Sequence, residues 1–332
     1  MLINKSLNGA LKNLLEIEDK LICLGEDISD PYGGAFKVTK GLSDSYPEKV
    51  ISTPVSEAAI IGVGTGLSML GYKPIIEIMF GDFILLGADQ IINYLSKFYS
   101  LHNHLKPTSI VIRTPMGGGR GYGPTHSQSL ENIFNGYDGL TLVSLNIFTD
   151  AGKLLTESVY HNSPVIFIEN KSLYGQPNSF NAVPKNSLLE SNKSLFPVIK
   201  YCTSQMRNAD FSLVTYGGMS KIGYEVLNRL YENEQVVGEM IVPSCISDFS
   251  YLYDKKILGD INFLITLEES HTNLGFGSEV VSRLKENLSL KHLRIGKTKG
   301  IIPNSRKLED KVLPTVNSVY HDIVKFLERN LM

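Results

Sequence analysis

Residues 51–93 read ISTPVSEAAIIGVGTGLSMLGYKPIIEIMFGDFILLGADQIIN, and their pattern decides the fold class. Val50-Ile51 is a short apolar run of the strand type. Ser56 to Leu70 mixes apolar and small residues over a length that suits a helix. Ile75 to Met79 is strand-like again, and Leu85 to Leu101 is long enough for a second helix. Strands that alternate with helices cannot pair through hairpins, so the sheet they build is mostly parallel.

The alternation continues outward. Upstream, residues 4–19 carry Leu7, Leu11, Leu14 and Leu15 at helical spacing, and Lys20 to Leu24 reads as a buried strand closed by Gly25-Glu26-Asp27. Downstream, strands are expected at Ser109–Arg113, Leu140–Ser144 and Val165–Glu169, with a helix from Asp150 to Tyr160. The pattern breaks over residues 176–205, which hold Pro177, Pro184 and Pro197 among Asn and Ser. A second alternating run starts at Phe211–Tyr216. It continues with a helix at Ser220–Tyr231, strands near Gln235–Val242 and Phe263–Glu268, and helices at Ser278–Leu288 and Ser318–Leu331. The expected architecture is therefore α/β, with two open, mostly parallel domains at 1–180 and 206–332 and a linker at 181–205.

Composition narrows the function. The chain has 332 residues, 42% hydrophobic and 20% charged, so a large core needs no disulfide or metal support. The net charge of -2 offers no basic surface to nucleic acid or an anionic membrane. Cys23, Cys202 and Cys245 are far apart and form no C-x-x-C pair, so neither a zinc knuckle nor a redox motif is indicated. The N-terminal stretch is charged and uninterrupted by any apolar run of leader type, and no window reaches the ~20 apolar residues of a membrane span. A cytoplasmic protein is the expectation.

Several motifs fail. The loop Gly117 to Gly123 lacks the Lys-Ser pair of a P-loop, and Gly62-Val63-Gly64-Thr65-Gly66 lies inside a helix rather than after a strand, unlike a Rossmann fingerprint. No H-E-x-x-H or G-x-S-x-G occurs. Three constellations remain. Glu57, in Thr53-Pro54-Val55-Ser56-Glu57, sits in a first helical turn, where an acid suits the helix dipole and needs no other reason. The helix behind it carries Gly62, Gly64 and Gly66, each costing roughly 1 kcal/mol against Ala. A sequence keeps such glycines where another backbone or a ligand comes close. Phe83 follows a strand end, where open α/β sheets bind ligands, although taken alone the core-aromatic reading of Phe83 wins. His126 ends a mobile glycine loop, able to lie over a ligand or to be merely structural.

In order, these pieces resemble the β subunit of the thiamine-diphosphate-dependent 2-oxo-acid dehydrogenases, the group of the pyruvate, branched-chain and acetoin enzymes with their transketolase-like pyrimidine-binding and C-terminal domains. The stretches that carry the resemblance are LGEDISDPYGGAFKVTKGL, residues 51–93 above, IRTPMGGGRGYGPTHSQSLE, SPVIFIENKSLYG, LEESHTNLGFGSEV and IPNSRKLEDKVLPT. The resemblance implies that Glu57 hydrogen-bonds the aminopyrimidine of thiamine diphosphate and favours the tautomer that deprotonates the thiazolium carbon. It implies that Phe83 stacks on that ring, and that His126 stands near the substrate or a lipoyl acceptor.

The family's diphosphate motif, G-D-G, is missing: Gly81-Asp82 runs into Phe83, and Gly259-Asp260 into Ile261. The resemblance therefore implies no metal site here, Mg²⁺ on a partner chain, and a cofactor shared with an α-type subunit in an α2β2 assembly. The loop Tyr160-His161-Asn162-Ser163 lacks the acid of the family's monovalent-cation site. The segment after the second strand of the C-terminal domain, Val242 to Ser247, also departs from the family. Docking on a lipoyl acyltransferase core is accordingly left open.

The implied reaction is decarboxylation of a small, pyruvate-like 2-oxo acid and acyl transfer to lipoate. Two alternatives remain: a split transketolase-like enzyme that passes the carbanion to a non-lipoyl acceptor, and a catalytically silent scaffold subunit.

Overall fold

The computed structural model describes residues 1–102, 109–178, 188–191, 196–204, 206–259, 261–284 and 290–331. The first domain holds strands β1 (Leu21–Gly25), β2 (Val50–Ser52), β3 (Lys73–Glu77), β4 (Val111–Met116), β5 (Thr141–Ser144) and β6 (Val165–Asn170). They form one sheet in the order β2-β1-β3-β4-β6-β5, with every pair parallel. Its helices are α1 (Ile3–Ile17), α2 (Leu42–Ser45), α3 (Glu57–Met69), α4 (Phe98–Leu101) and α5 (Ala151–Tyr160).

The amphipathic reading of α1 holds, since Ile3, Leu7, Leu11, Leu14 and Leu15 are all buried. It packs on α5 at very close range. Gly152 has its N–H bonded to Ser6 Oγ at 3.0 Å, and a Cβ there would stand 2.9 Å from the Ser6 carbonyl oxygen.

The segment expected as a long helix from Leu85 to Leu101 is irregular. A 3-10 turn spans Gly81–Gly87, π turns cover Gln90–Tyr94, a second 3-10 turn covers Leu95–Lys97, and only α4 is α-helical. Close packing explains the difference at its start. A Cβ on Gly81 would lie 2.3 Å from Met116 Cγ, and one on Gly87 2.3 Å from Ile61 Cδ1. The chain is pressed onto β4 and α3 there, and glycine is the residue that permits it.

The second domain contains β7 (Leu188–Ser191), β8 (Val198–Cys202), β9 (Phe211–Thr215), β10 (Gly238–Pro243), β11 (Phe263–His271) and β12 (Lys291–Lys297). Its helices are α6 (Met219–Glu234), α7 (Phe276–Leu284), α8 (Arg306–Glu309) and α9 (Val316–Leu331). The sheet order is β12-β11-β9-β10-β8-β7, parallel from β12 to β10 and antiparallel at β8 and β7. Of the helix expected at Ser278–Leu288, residues 285–288 lie outside the described residues.

One correction concerns the stretch 181–205. It is read from the sequence as a linker, yet β7 and β8 lie within it and extend the second sheet. Val198, Ile199 and Tyr201 are buried while Lys200 is not. A five-residue strand directly after Pro197 is too short and too punctuated to stand out as an alternating pattern. Asp260 and most of the stretch's remaining residues lie outside the described residues.

The two sheets meet along β5. The Ser144 N–H donates to the Ser244 carbonyl at 2.8 Å, the Leu142 N–H donates to Ser247 Oγ at 3.0 Å, and Val143 bridges Cys245. Val143, Val165, Leu213 and Met240 belong to one continuous apolar core, so the domains share an interior.

Candidate active site

The conspicuous polar and aromatic residues gather where the first sheet's strands end. Glu26 follows β1, Glu57 follows β2 across a short turn, Phe80 and Phe83 follow β3, His126 closes the loop after β4, and Lys171 follows β6. The C-terminal edge of a parallel sheet collects such groups because each crossover loop starts there. A second cavity, of about 580 Å³, is lined by Asp210, Phe211, Gly259 and Phe263. It lies at the beginnings of β9 and β11, away from this edge.

Phe83 and His126 meet edge to face with ring centroids 5.1 Å apart, and Phe80 closes the group at 4.8 Å from His126 and 5.9 Å from Phe83. Glu57 lies on the other side of the 81–87 turn. A Cβ on Gly87 would stand 3.6 Å from the Glu57 carbonyl oxygen. The Glu57 side chain is 6% exposed, and among the described residues no side-chain hydrogen bond or ion pair engages its carboxylate. Its electrostatic neighbour is Glu26, also buried, whose Oε1 has no hydrogen-bond partner among the described residues. Burial first, and then the Glu57 charge, hold the Glu26 carboxyl above its ordinary range.

The glycine loop is expected to be mobile; it is instead strapped down. Gly117, Gly119, Gly121 and Gly123 all have left-handed φ, between 73° and 92°, which accounts for their spacing. Two carboxylates from the second domain then hold the loop. Gly118 N–H donates to Glu269 Oε1 at 2.5 Å, and Gly121 N–H donates to Glu309 Oε2 at 2.8 Å. Asn170 Nδ2 bonds the other Glu269 oxygen at 2.7 Å. At the loop's far end, Lys171 Nζ donates to the His126 carbonyl oxygen and lies 5.2 Å from the centre of the Phe80 ring. Lys171 is fully buried. Burial pushes its ammonium group down to about 8, against the opposing pull of Asp82 and Glu269.

Transketolase, pyrimidine binding domain, matches residues 1–177, and Transketolase, C-terminal domain, matches residues 201–319. The chain belongs to the transketolase pyrimidine-binding domain family. Its second half carries the matching C-terminal domain. The chain is 29% identical to the human mitochondrial pyruvate dehydrogenase E1 component subunit beta, over 98% of this chain and 90% of that one. Against the Saccharomyces cerevisiae mitochondrial counterpart the identity is 27%, over 98% and 89%. The Leifsonia xyli pyruvate dehydrogenase E1 component subunit beta is 28% identical over 95% and 91%. Among solved structures, an inactive beta4 tetramer of a split-gene transketolase superposes with a TM-score of 0.71 at 17% identity, covering 99% of this chain and 98% of that one. The Campylobacter jejuni transketolase superposes with a TM-score of 0.69 at 14% identity, over 97% of this chain and 46% of that one.

In this family setting the edge of the first sheet offers what a planar aminopyrimidine requires. Glu57 supplies a buried carboxyl able to share a proton with a ring nitrogen, and Phe83 supplies an aromatic face. The donor set therefore fits the ring. For the diphosphate it does not: Gly81-Asp82 is followed by Phe83 rather than a second glycine, and although Asp82 Oδ2 has no hydrogen-bond partner among the described residues, Asp82 Oδ1 accepts from Gln128 Nε2 at 2.8 Å. Among the described residues, no group of three or more His, Cys, Asp or Glu side chains is arranged to hold a metal ion. No described helix is long and apolar enough to cross a membrane.

Several residues of the site escape a reading by pattern. Glu26 looks like a turn residue, and Lys171 looks like the polar end of a strand. A third group is a buried network across the sheet. Arg113 Nε and Nη2 bind Glu169 at 2.7 and 2.9 Å, Arg113 Nη1 binds Glu77 at 2.8 Å, and Tyr174 O–H donates to Glu169 at 2.7 Å. One cation between two carboxylates leaves the network net negative. Burial, only partly offset by the Arg113 charge, accordingly raises Glu77 above its ordinary value. The signal for this network was present in the sequence, as charged residues inside apolar strands at Glu77, Arg113 and Glu169.

Proposed function

We propose that this chain is the β subunit of a thiamine-diphosphate-dependent 2-oxo-acid dehydrogenase component, which decarboxylates a small 2-oxo acid and passes the acyl group to a lipoyl acceptor. One observation carries the reading: a buried Glu57 carboxyl at the start of α3, with no side-chain hydrogen bond among the described residues, on a backbone that packs against Gly87 of the turn that carries Phe83. Bound thiamine diphosphate supplies the nucleophilic carbon and the electron sink. The protein's share is orientation and proton traffic. Glu57 would hold and exchange a proton at the aminopyrimidine ring nitrogen. Phe83 would present its face to the ring. His126 would stand at the substrate end and carry a proton to or from the reacting carboxyl or acyl group.

The missing diphosphate cradle requires a second chain, and an α-type subunit fits that need. The surface of α3 supports such a partner. Gly64 is explained within this chain, because a Cβ there would lie 2.5 Å from Ile76 Cδ1. Gly66 is not, since it has open space around it. By helical spacing it shares a face with Val63, 57% exposed, and with Leu70 at the helix end, 70% exposed. A thin helix flanked by exposed apolar residues is suited to the close approach of another backbone.

The test is co-expression with an α-type chain and a screen for thiamine-diphosphate-dependent decarboxylation across 2-oxo acids. Glu57→Gln should keep the assembly and lower kcat by about 10²–10⁴, the usual range for a lost acid–base group. Undiminished turnover in Glu57→Gln would refute the assignment.

A further inference from the structure

We infer that Lys171 is a positioning residue for His126, holding the histidine end of the glycine loop against the rings of Phe80 and Phe83. The inference rests on the functional reading above only for its catalytic consequence; its geometric part stands alone.

Three observations carry it. Lys171 is fully buried, and its Nζ donates to the carbonyl oxygen of His126 itself. The same ammonium group lies 5.2 Å from the centre of the Phe80 ring and 5.7 Å from that of Tyr122, and Phe80 is the ring that meets His126 at 4.8 Å. The Lys171 carbonyl oxygen, in turn, accepts from Arg120 Nη2 at 2.9 Å. One residue at the end of β6 therefore ties down both the middle of the loop and its histidine.

The charge arrangement gives the reason for a lysine. Asp82 from the first domain and Glu269 and Glu309 from the second all act on it, with Arg120 opposing. All three acids are buried. Glu269 and Glu309 are the carboxylates that accept the loop's N–H groups. They hold the loop best when ionised, and buried ionised carboxylates need a nearby cation. Lys171 supplies that cation from beneath the loop while its own N–H bond fixes His126. A lysine confined to the core solely for packing would be poorly chosen, because burying an ammonium group is costly and an apolar side chain would serve better.

The experiment follows the ring of His126 by NMR in ¹³C-histidine-labelled chain, with His126→Gln assigning its signal among the seven histidines. The nearby rings of Phe80 and Phe83 impose ring-current shifts on that signal, so it reports the position of the imidazole. Lys171→Met should move the signal beyond its line width, and Lys171→Arg, which keeps the charge and a donor, should return it most of the way. Tyr174→Phe, which trims the neighbouring ion network without touching the loop, should leave it in place. Lys171→Met/Asp82→Asn, which conserves the net charge of the cluster, is compared with Asp82→Asn alone and should show the same displacement. That comparison decides the matter if the single Lys171→Met variant does not fold. In the assembled enzyme, Lys171→Met should lower kcat about ten- to a hundredfold, the range expected when a reacting group is misplaced by an ångström or less, with thiamine diphosphate affinity nearly unchanged.

An unmoved His126 signal in both methionine variants overturns the inference, and so does an equal displacement in Tyr174→Phe. The NMR result needs no turnover. An enzyme inactive on every 2-oxo acid would therefore remove the functional reading while leaving this inference to its own measurement.

Discussion

Glu131 gives the sharpest quantitative prediction. It is buried at the seam of the two domains, where Tyr216 of the second domain donates its O–H to Glu131 Oε1. Its Oε2 has no hydrogen-bond partner among the described residues. Burial raises the carboxyl to about 7 from an ordinary 4.5; the Tyr216 bond works against that rise, and the charges of Glu269 and Glu268 add to it. A raised acid binds its proton more tightly in the folded chain than in the unfolded one. Its contribution to stability is therefore fully present below pH 4.5 and is lost as the pH climbs through 7. The interval from 4.5 to about 7, at about 1.36 kcal/mol per pH unit, comes to about 3 kcal/mol. Glu131→Gln keeps the shape and the acceptor for Tyr216 but cannot ionise. The variant should match the parent near pH 5 and exceed it by up to about 3 kcal/mol at pH 8. The assay is urea unfolding at several pH values, followed by circular dichroism because the chain has no tryptophan. A difference between variant and parent that stays flat from pH 5 to pH 8, or that favours the parent at pH 8, would refute the reasoning.

Two further outcomes follow from the same geometry. Arg113→Met removes the cation between Glu77 and Glu169 and leaves two buried carboxylates facing each other, so chemical unfolding at neutral pH should show a loss of about 3–5 kcal/mol. Val63→Glu changes an exposed residue of α3 and should leave the stability of the isolated chain within about 0.5 kcal/mol, yet abolish co-purification with an α-type subunit; retained co-purification would move the interface elsewhere.

Much of the architecture is legible from periodicity alone. The strands of the first sheet fall within a few residues of their expected places because all but the edge strand β2 are largely buried apolar runs, and parallel strands buried on both faces carry that signature strongly. The antiparallel strands β7 and β8 do not. Both are short, β8 follows Pro197 directly, and only their pairing, β8 with β10 and β7 with β8, makes them strands. The irregular turns from Gly81 to Lys97 are hidden for a related reason. Their shape is set by contact with Met116 and Ile61, which are distant in sequence.

The candidate site shows the same division. Taken residue by residue, Glu57 reads as a helix-start acid, Phe83 as a core aromatic and His126 as either a loop residue or an acid/base group; the family resemblance, not their spacing, singles them out. The structure brings Phe83 and His126 into contact and places Glu57 across the next turn. The glycine loop is where local reading fails most clearly. Glycine-rich sequence implies freedom, since it states only what the unfolded chain can do. What the folded chain does depends on partners about 150 and 190 residues downstream, where Glu269 and Glu309 accept the loop's N–H groups. The left-handed glycines are needed to turn those N–H groups toward the carboxylates, so the feature that suggests mobility is the one that permits fixation. A site built this way draws its precision from the second domain. Under the proposed function, that would give the C-terminal domain a part in positioning His126, although Glu57 and Phe83 lie in the first domain.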